Sequence, residues 1–241
     1  MYNDIALIYD SLTENVEYGR RAGYVRELLL GCGCSGGLLL DAGCGTGSMA
    51  AFLSGYGYDL ICADNSPQML CAAREKLPGG LFICQDLTQL DLYGTIKGTV
   101  CCLDTLNHLL TIEDVERAVS RIALFTEPGG AFVFDVNTVY KHRHVLDCNT
   151  FALDKGSVYC VWQNTFHPLS NIVDIDLDFF VKSGDLYSRS RDFFSERAYT
   201  VEELTAVLEK CGFRLLDIFD DLTFDKPRED SERLYFRAVR E

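Results

Sequence analysis

The stretch that decides the fold is Leu38-Leu39-Leu40-Asp41-Ala42-Gly43-Cys44-Gly45-Thr46-Gly47. Three consecutive leucines read as a short strand buried on both faces, and the glycines that follow leave no room for that strand to continue. Ser48 to Gly55 then reads as a helix, so the glycines sit where a strand turns into a helix N-terminus. Glycines there let the backbone approach a ligand closely, and the helix end offers unpaired N–H groups. The usual dinucleotide spacing is Gly-x-Gly-x-x-Gly; here the third glycine comes one residue early, at Gly47, and Ser48 takes the dinucleotide position.

Outward from this loop, apolar runs alternate with amphipathic stretches, the signature of strand–helix–strand units on a parallel sheet. Asp59 to Ala63 is a second strand ending at Asp64. Ser66-Pro67 supplies a cap and a first-turn proline for a helix over 68–76. Leu81 to Cys84 is a third strand with Asp86 just past it, and Thr99 to Leu103 a fourth, ending at Asp104. Thr111-Ile112-Glu113-Asp114 is close to a capping box and opens a helix to about Phe125. Pro128-Gly129-Gly130 predicts a turn before the strand Ala131 to Asp135. Thr200-Val201-Glu202-Glu203 is a second capping box, and its helix stops at Gly212. Strands over 213–220 and 232–239 complete a Rossmann-like, doubly wound α/β fold: a mostly parallel seven-stranded sheet with helices on both faces.

Residues 140–197 behave differently. Val158 to Trp162, Ile172 to Phe179 and Leu186 to Asp192 read as strands, the last two alternating apolar with polar residues as in an antiparallel sheet with one wet face. This segment is expected to be a small antiparallel β insertion over the strand ends, serving as lid and acceptor pocket. The main domain is then residues 1–139 and 198–241. The first thirty residues read as helical, with Tyr18, Ala22, Val25, Leu28 and Leu29 at helical spacing.

Composition bounds the function. The chain has 241 residues, 48% apolar and 24% charged, ordinary for a core-forming protein. Its net charge of −14 repels a phosphate backbone, so nucleic acid is an unfavoured partner. Lys141-His142-Arg143-His144, the single basic run, is read as a solvated face in preference to an anion site. No window is long and apolar enough to span a membrane, and the N-terminus lacks the basic start and apolar core of a secretory signal, so a cytoplasmic location is expected. The eleven cysteines contain no Cys-x-x-Cys and no zinc-like His/Cys spacing; they read as reduced, small apolar residues, with no metal site expected.

Asp41-x-Gly43-x-Gly45-x-Gly47 after an apolar strand resembles the first motif of class I S-adenosylmethionine-dependent methyltransferases. Asp64-Asn65-Ser66-Pro67-Gln68-Met69 resembles that family's second motif, whose acidic residue binds both ribose hydroxyls. Asp86-Leu87 matches the position that contacts adenine, and Leu103-Asp104-Thr105-Leu106-Asn107-His108 the motif beside the methionine part of the cofactor. Phe132 to Asp135 is similar to the fifth strand. The resemblance covers about residues 36–137 and 198–239. It implies S-adenosylmethionine held by Asp41, Gly43, Cys44, Gly45, Gly47, Asp64, Asn65, Met69, Asp86, Leu87 and Leu103. The leader Tyr2 to Asp10 is similar to that of small-molecule members, which folds across the cofactor. Tyr9 then either closes the cofactor pocket or anchors the segment on the domain surface.

Six further residues carry weaker signals. Cys44 reads as a small residue in a tight turn, since methyl transfer needs no covalent enzyme intermediate. His108 is the candidate for removing an acceptor proton; it could equally bond the cofactor's carboxylate or start a loop. A non-catalytic role is favoured, because a positioned neutral amine attacks a sulfonium without a strong base. Trp162, Tyr159, Phe179 and Phe180 are read as the core of the insertion. The function expected is methyl transfer to an N, O or C acceptor, a small molecule in preference to a macromolecule. The alternatives are an NAD-dependent oxidoreductase, for which Asp86 and the shifted glycine have no role, and a non-catalytic S-adenosylmethionine-binding regulator.

Overall fold

The computed structural model describes residues 5–241, with side chains described from Ile8 onward. Tyr2, Asn3 and Asp4 of the expected leader lie outside the described residues. Two helices open the chain, α1 (Ile5–Leu12) and α2 (Tyr18–Gly31), parted by a short 3-10 turn and by Glu17 at φ +54°. The continuous helical start predicted from spacing is thus broken, and Asp10 and Tyr9 ride on a separate element.

The main sheet follows: β1 (Gly37–Ala42), α3 (Ser48–Gly55), β2 (Tyr58–Asp64), α4 (Pro67–Lys76), β3 (Leu81–Cys84), β4 (Ile96–Cys101), α5 (Ile112–Phe125) and β5 (Thr126–Asn137). After the insertion come α6 (Val201–Lys210), β10 (Phe213–Asp220) and β11 (Arg233–Arg240). The strand order is β10-β11-β5-β4-β1-β2-β3, with β11 antiparallel to both neighbours and β1 to β5 paired in parallel. The order reverses between β1 and β4, the switch point where an open α/β sheet leaves a crevice past its carboxyl ends.

Alternate residues of each buried strand serve two cores. Leu40, Ala42, Ile61 and Phe134 meet Val115, Val119 and Ile122 of α5 and Leu204 and Leu208 of α6. Leu39, Leu60, Cys62 and Val133 meet Val25, Leu28 and Leu29 of α2 and Met49 and Leu53 of α3 on the other face. The caps form as their sequences suggest: Ser66 Oγ accepts from Met69 N, and Thr200 and Glu203 make a complete capping box.

Two boundaries move. β4 begins at Ile96 and stops at Cys101, so Leu103 and Asp104 lie past the strand end, not in it. Pro128-Gly129-Gly130 is an excursion within β5 and not a turn ahead of it, since Ile96 pairs with Thr126 and Gly98 already pairs with Ala131.

The insertion is one antiparallel sheet: β6 (Thr150–Asp154), β7 (Val158–His167), β8 (Ile172–Ser183) and β9 (Leu186–Arg197). β6 escapes a reading based on alternation because it is a short, largely exposed edge. Val158, Cys160 and Phe179 of its inner face pack with Ile8 of α1 and Met69 of α4, which seats the sheet beside the glycine loop. Phe179 is core as expected, whereas Tyr159 points outward, 38% exposed. Lys141–Leu146 form a helical turn in which His142 is fully buried and Lys141 mostly so, so the solvated face expected there is confined to Arg143 and His144. All eleven cysteines are unpaired, Cys71, Cys84 and Cys148 being exposed rather than core residues. No helix among the described residues is long and apolar enough to cross a membrane.

Candidate active site

The carboxyl ends of the parallel strands β3, β2, β1 and β4 lie side by side along one edge of the sheet, on either side of the switch point. Gly43, Gly45 and Gly47 have φ of +74°, +52° and +74°, a region that residues with a Cβ avoid. The amides of Gly43 and Cys44 donate to Ala63 O at 2.8 and 3.0 Å, tying the loop to the end of β2. A Cβ on Gly43 would lie 2.3 Å from Thr105, and one on Gly47 would lie 2.8 Å from Ala73. At Gly45 an added Cβ meets nothing within 4 Å, so the loop is packed on two glycines and open at the middle one.

Asp64 takes the Gly45 amide on Oδ2 at 2.8 Å and the Ser66 amide on Oδ1 at 2.9 Å. Burial nonetheless raises its carboxyl above the usual range, with the Ser66 and Gly45 amides only partly offsetting this. Asp41 is the more extreme case: 2% exposed, with Oδ2 lacking any hydrogen-bonding partner. Burial first, then the neighbouring Asp64 charge, push it up to about 7. Contact with the Cys62 thiol and burial hold the Cys44 thiol well above its ordinary value, so it is no nucleophile.

Asp10 of α1 clamps this loop from outside. Its Oδ1 accepts from Thr46 Oγ1 at 2.7 Å and its Oδ2 pairs with Lys76 Nζ at 2.6 Å. Lys76 also donates to Thr46 and Ser48, at 2.9 and 2.7 Å. Met69 is buried beside Ile8 and against the insertion, with Tyr9 at the edge of the same cluster. Asn65 follows Asp64 and is exposed. Past β3, the Asp86 carboxylate caps the next turn by accepting from Thr88 N and Oγ1, and Leu87 is buried behind it.

Leu103 and Asp104 both adopt left-handed backbone, φ +58° and +60°, which costs energy for residues bearing a Cβ. The fully buried Asp135 holds them there, accepting from Leu103 N at 2.8 Å and Asp104 N at 3.1 Å. Arg233 on β11 bridges Asp135 and Asp104, donating to Asp104 Oδ1 at 2.8 Å. Burial works to raise the Asp104 carboxyl, but the charges of Arg233 and Lys141 outweigh it and hold it at about 2. Thr105, next in the chain, is the residue pressed against Gly43.

His108 follows in the same turn, its ring 5.2 Å from that of Phe194. Glu196, on β9 of the insertion, comes within 4.0 Å of His108 Nε2. Asn107 joins the two sheets, donating to Asn137 O at 3.1 Å and Arg197 O at 2.8 Å. Asp10, Arg233 and Glu196 are the site residues that sequence reasoning missed. Asp10 lay within the quoted leader; the other two follow no motif and sit in alternating strands like any solvated charge.

The fit of the site to S-adenosylmethionine rests on three features. These are the cradle left open at Gly45, the carboxylate of Asp64 beside it, and the orphaned oxygen of Asp41 beneath. A cationic sulfonium nucleoside with ribose hydroxyls offers the donors and the charge that such groups complement.

Comparison with known proteins agrees with this geometry. Residues 40–134 match the methyltransferase domain family. Over 99% of its length the chain is 31% identical to a Bacillus subtilis protein named as methyltransferase YqeM, covering 96% of that protein. It is also similar, at 29% identity over 55% of the chain and 56% of the relative, to the Streptomyces venezuelae enzyme dTDP-3-amino-3,4,6-trideoxy-alpha-D-glucopyranose N,N-dimethyltransferase. The crystal structure of a Clostridium acetobutylicum S-adenosylmethionine-dependent methyltransferase shares 28% identity, with a TM-score of 0.90 over 99% of this chain and 98% of that one. The chain therefore belongs to the S-adenosylmethionine-dependent methyltransferases.

Proposed function

We propose that this enzyme methylates a small molecule enclosed between the strand ends of the main sheet and the inner face of the β insertion. The observation that carries the reading is the insertion's position. It packs through Val158, Cys160 and Phe179 on Ile8 and Met69, and through Glu196 it reaches His108; these contacts support a roof over the strand ends in preference to a surface open to a macromolecule. The amino-sugar enzyme among the relatives and the net charge of −14 support the same choice over nucleic acid. The unpaired cysteines fit a reducing compartment, the cytoplasm.

Bound S-adenosylmethionine supplies a methyl group activated on a sulfonium. On this reading Gly43, Cys44, Gly45 and Gly47 offer backbone to the cofactor, and Asp64 accepts from its ribose hydroxyls. Asn65, Asp86 and Leu87 flank the adenine, Met69 and Tyr9 close over it, and Leu103 bounds the methionine end. Asp41 sits beneath and sets the local charge. The residues' task is alignment and exclusion of water; pre-organised alignment alone is worth on the order of 7–11 kcal/mol in such reactions.

Titration with S-adenosylhomocysteine and with NAD tests the donor site, and Asp64→Ala is expected to weaken the first at least about tenfold. Methyl-labelled cofactor incubated with a cell extract, with products sized by mass spectrometry, tests the acceptor. Label found only in protein or RNA would refute the small-molecule reading.

A further inference from the structure

At the carboxyl edge of the sheet, two hydrogen-bond acceptors from the turn after β4 meet a third from β9 of the insertion. They are the Asp104 carboxylate, the His108 ring and the Glu196 carboxylate, each with one atom within 4.8 Å of the others. Glu196 is 5% exposed at its side chain, and its Oε1 faces His108 Nε2 at 4.0 Å. Behind it lies His142, fully buried, with Nε2 3.6 Å from Glu196 Oε2 and neither ring nitrogen hydrogen-bonded. Three other nearby donors are engaged: Arg233 on Asp104 and Asp135, Lys141 on Asn137 Oδ1 at 2.9 Å, and Asn137 Nδ2 on Glu196 Oε2 at 3.1 Å. Glu196 Oε1 and the His108 nitrogen are left facing one another across a gap.

We propose that Asp104, His108 and Glu196 form a receptor for an amine acceptor, binding it as an ammonium ion and taking a proton from it before methyl transfer. The proposal rests on the small-molecule reading above and names the substrate class.

Donor count and spacing carry it. A carboxylate acceptor would bring no N–H or O–H to three acceptors, and an alcohol would bring one; an ammonium brings two or three. Three acceptors arranged tetrahedrally about a nitrogen at about 2.8 Å lie about 4.6 Å apart. Ligands about a transition metal at roughly 2.1 Å would lie about 3.0–3.4 Å apart. The His108–Glu196 separation of 4.0 Å is wider than the metal spacing, and with no pair more than 4.8 Å apart the group still fits hydrogen bonds to a central cation. Arg233 on Asp104 Oδ1 further obstructs a metal at that oxygen.

The chemistry balances. An ammonium has no lone pair, so one N–H proton passes to the neutral His108 nitrogen, where Glu196 steadies the imidazolium. The neutral amine, no longer held at all three acceptors, turns its freed pair from His108 toward the cofactor, and that pair bonds to the methyl carbon as the carbon–sulfur bond breaks and its electrons stay on sulfur. The product is a methylated ammonium, and His108, 37% exposed at its side chain, returns its proton to solvent. The sequence-based preference for a non-catalytic His108 assumed an amine arriving neutral; a buried carboxylate beside it selects the charged form instead. His142 acts only through Glu196, as a positioning residue.

The test uses the full-length protein saturated with S-adenosylhomocysteine. It is titrated with cyclohexylamine, cyclohexanol, cyclohexanecarboxylate and Zn²⁺, and the His108 ring signals, assigned with His108→Asn, are followed by NMR. Cyclohexylamine alone should bind and shift those signals, with Glu196→Gln weakening it at least about tenfold. Asp176→Asn, on the outer face, should leave binding unchanged. Binding of the alcohol or carboxylate as tight as the amine, capture of Zn²⁺ at His108, an unaltered Glu196→Gln, or no amine binding at all overturns the proposal. Failure of S-adenosylhomocysteine itself to bind would instead overturn the donor site. As a second arm, an extract is split on a cation exchanger at pH 7 before labelling; label in the retained fraction supports the amine, and small-molecule label only in the flow-through overturns it while leaving the broader reading intact.

Discussion

Replacing Arg233 with methionine probes the loop that presents Asp104. Its two left-handed residues, Leu103 and Asp104, cost roughly 1–2 kcal/mol each. Their amides donate to a buried carboxylate, and such charge-assisted bonds return about 1.5–3 kcal/mol each, enough to hold the strained backbone. That sum holds only while Asp135 stays charged, and the charge is tolerable because Arg233 lies against it. Methionine keeps most of the volume and removes the cation, leaving Asp135 and Asp104 facing each other without a direct counter-ion. Breaking a buried pair this way costs about 3–5 kcal/mol, and the lower end is expected because Lys141 remains nearby.

Urea unfolding at pH 7 should show that loss with an unchanged m value. The acid limb gives a second readout. Because Asp104 is held at about 2, its stabilisation is present above the unfolded-state value near ~3.9 and disappears as pH falls towards 2; the variant should lack this loss. Affinity for S-adenosylhomocysteine, measured by calorimetry, should fall as well, because Thr105 follows Asp104 and packs on Gly43. A loss below about 1 kcal/mol together with unaltered affinity would refute the account of Arg233 as the anchor of this loop.

Five other variants follow from the same geometry. Asp41, pushed up to about 7, favours folding when protonated, so its contribution is full below about pH 4 and is lost as pH rises through 7; Asp41→Asn should flatten that slope, gaining on the order of 1–3 kcal/mol at pH 8 in urea unfolding. Gly47→Ala drives a Cβ into Ala73 at 2.8 Å and should destabilise the fold by about 2 kcal/mol or more. Gly45→Ala meets only open space, so it should cost about 1 kcal/mol yet lower cofactor affinity sharply; equal effects from the two would argue against the cradle. Asp10→Ala removes half-exposed contacts and should change stability by less than about 1 kcal/mol, while releasing α1 and raising the S-adenosylhomocysteine dissociation rate in stopped-flow measurements. Thr200→Ala breaks the capping box of α6 and should lower the melting temperature, equivalent to about 1–2 kcal/mol, with no change in ligand affinity.

The order of elements in the main sheet was legible because each carries a local signal. Leu38 to Leu40 and Leu81 to Cys84 are apolar runs of strand length, while Ser66-Pro67 and Thr200 with Glu203 are caps whose partners lie three residues away. Boundaries failed where pairing with another strand decided them: Ile96 joins β4 through Thr126, although Lys97 and Gly98 look like a loop, and Leu103 looks like strand although its backbone is left-handed. Alternation revealed the insertion but not its edge strand β6, which has little apolar surface to alternate. Lys141 and His142 are polar by composition, yet the first is part-buried and the second fully so; only the seat of the insertion on the main domain shows why.

The sequence by itself determined the donor half of this protein. The glycines, Asp64 and Asp86 act within a few residues of the backbone they shape, so spacing alone carries their meaning. The proposed acceptor site is visible only in the tertiary structure. The turn carrying Asp104 and His108, Glu196 of β9 and Arg233 of β11 are three separate elements, and only folding sets their distances, burial and mutual charge. No spacing along the chain encodes that meeting, because the forces that make a proton acceptor or an ion receptor depend on separation in space and on exclusion of water.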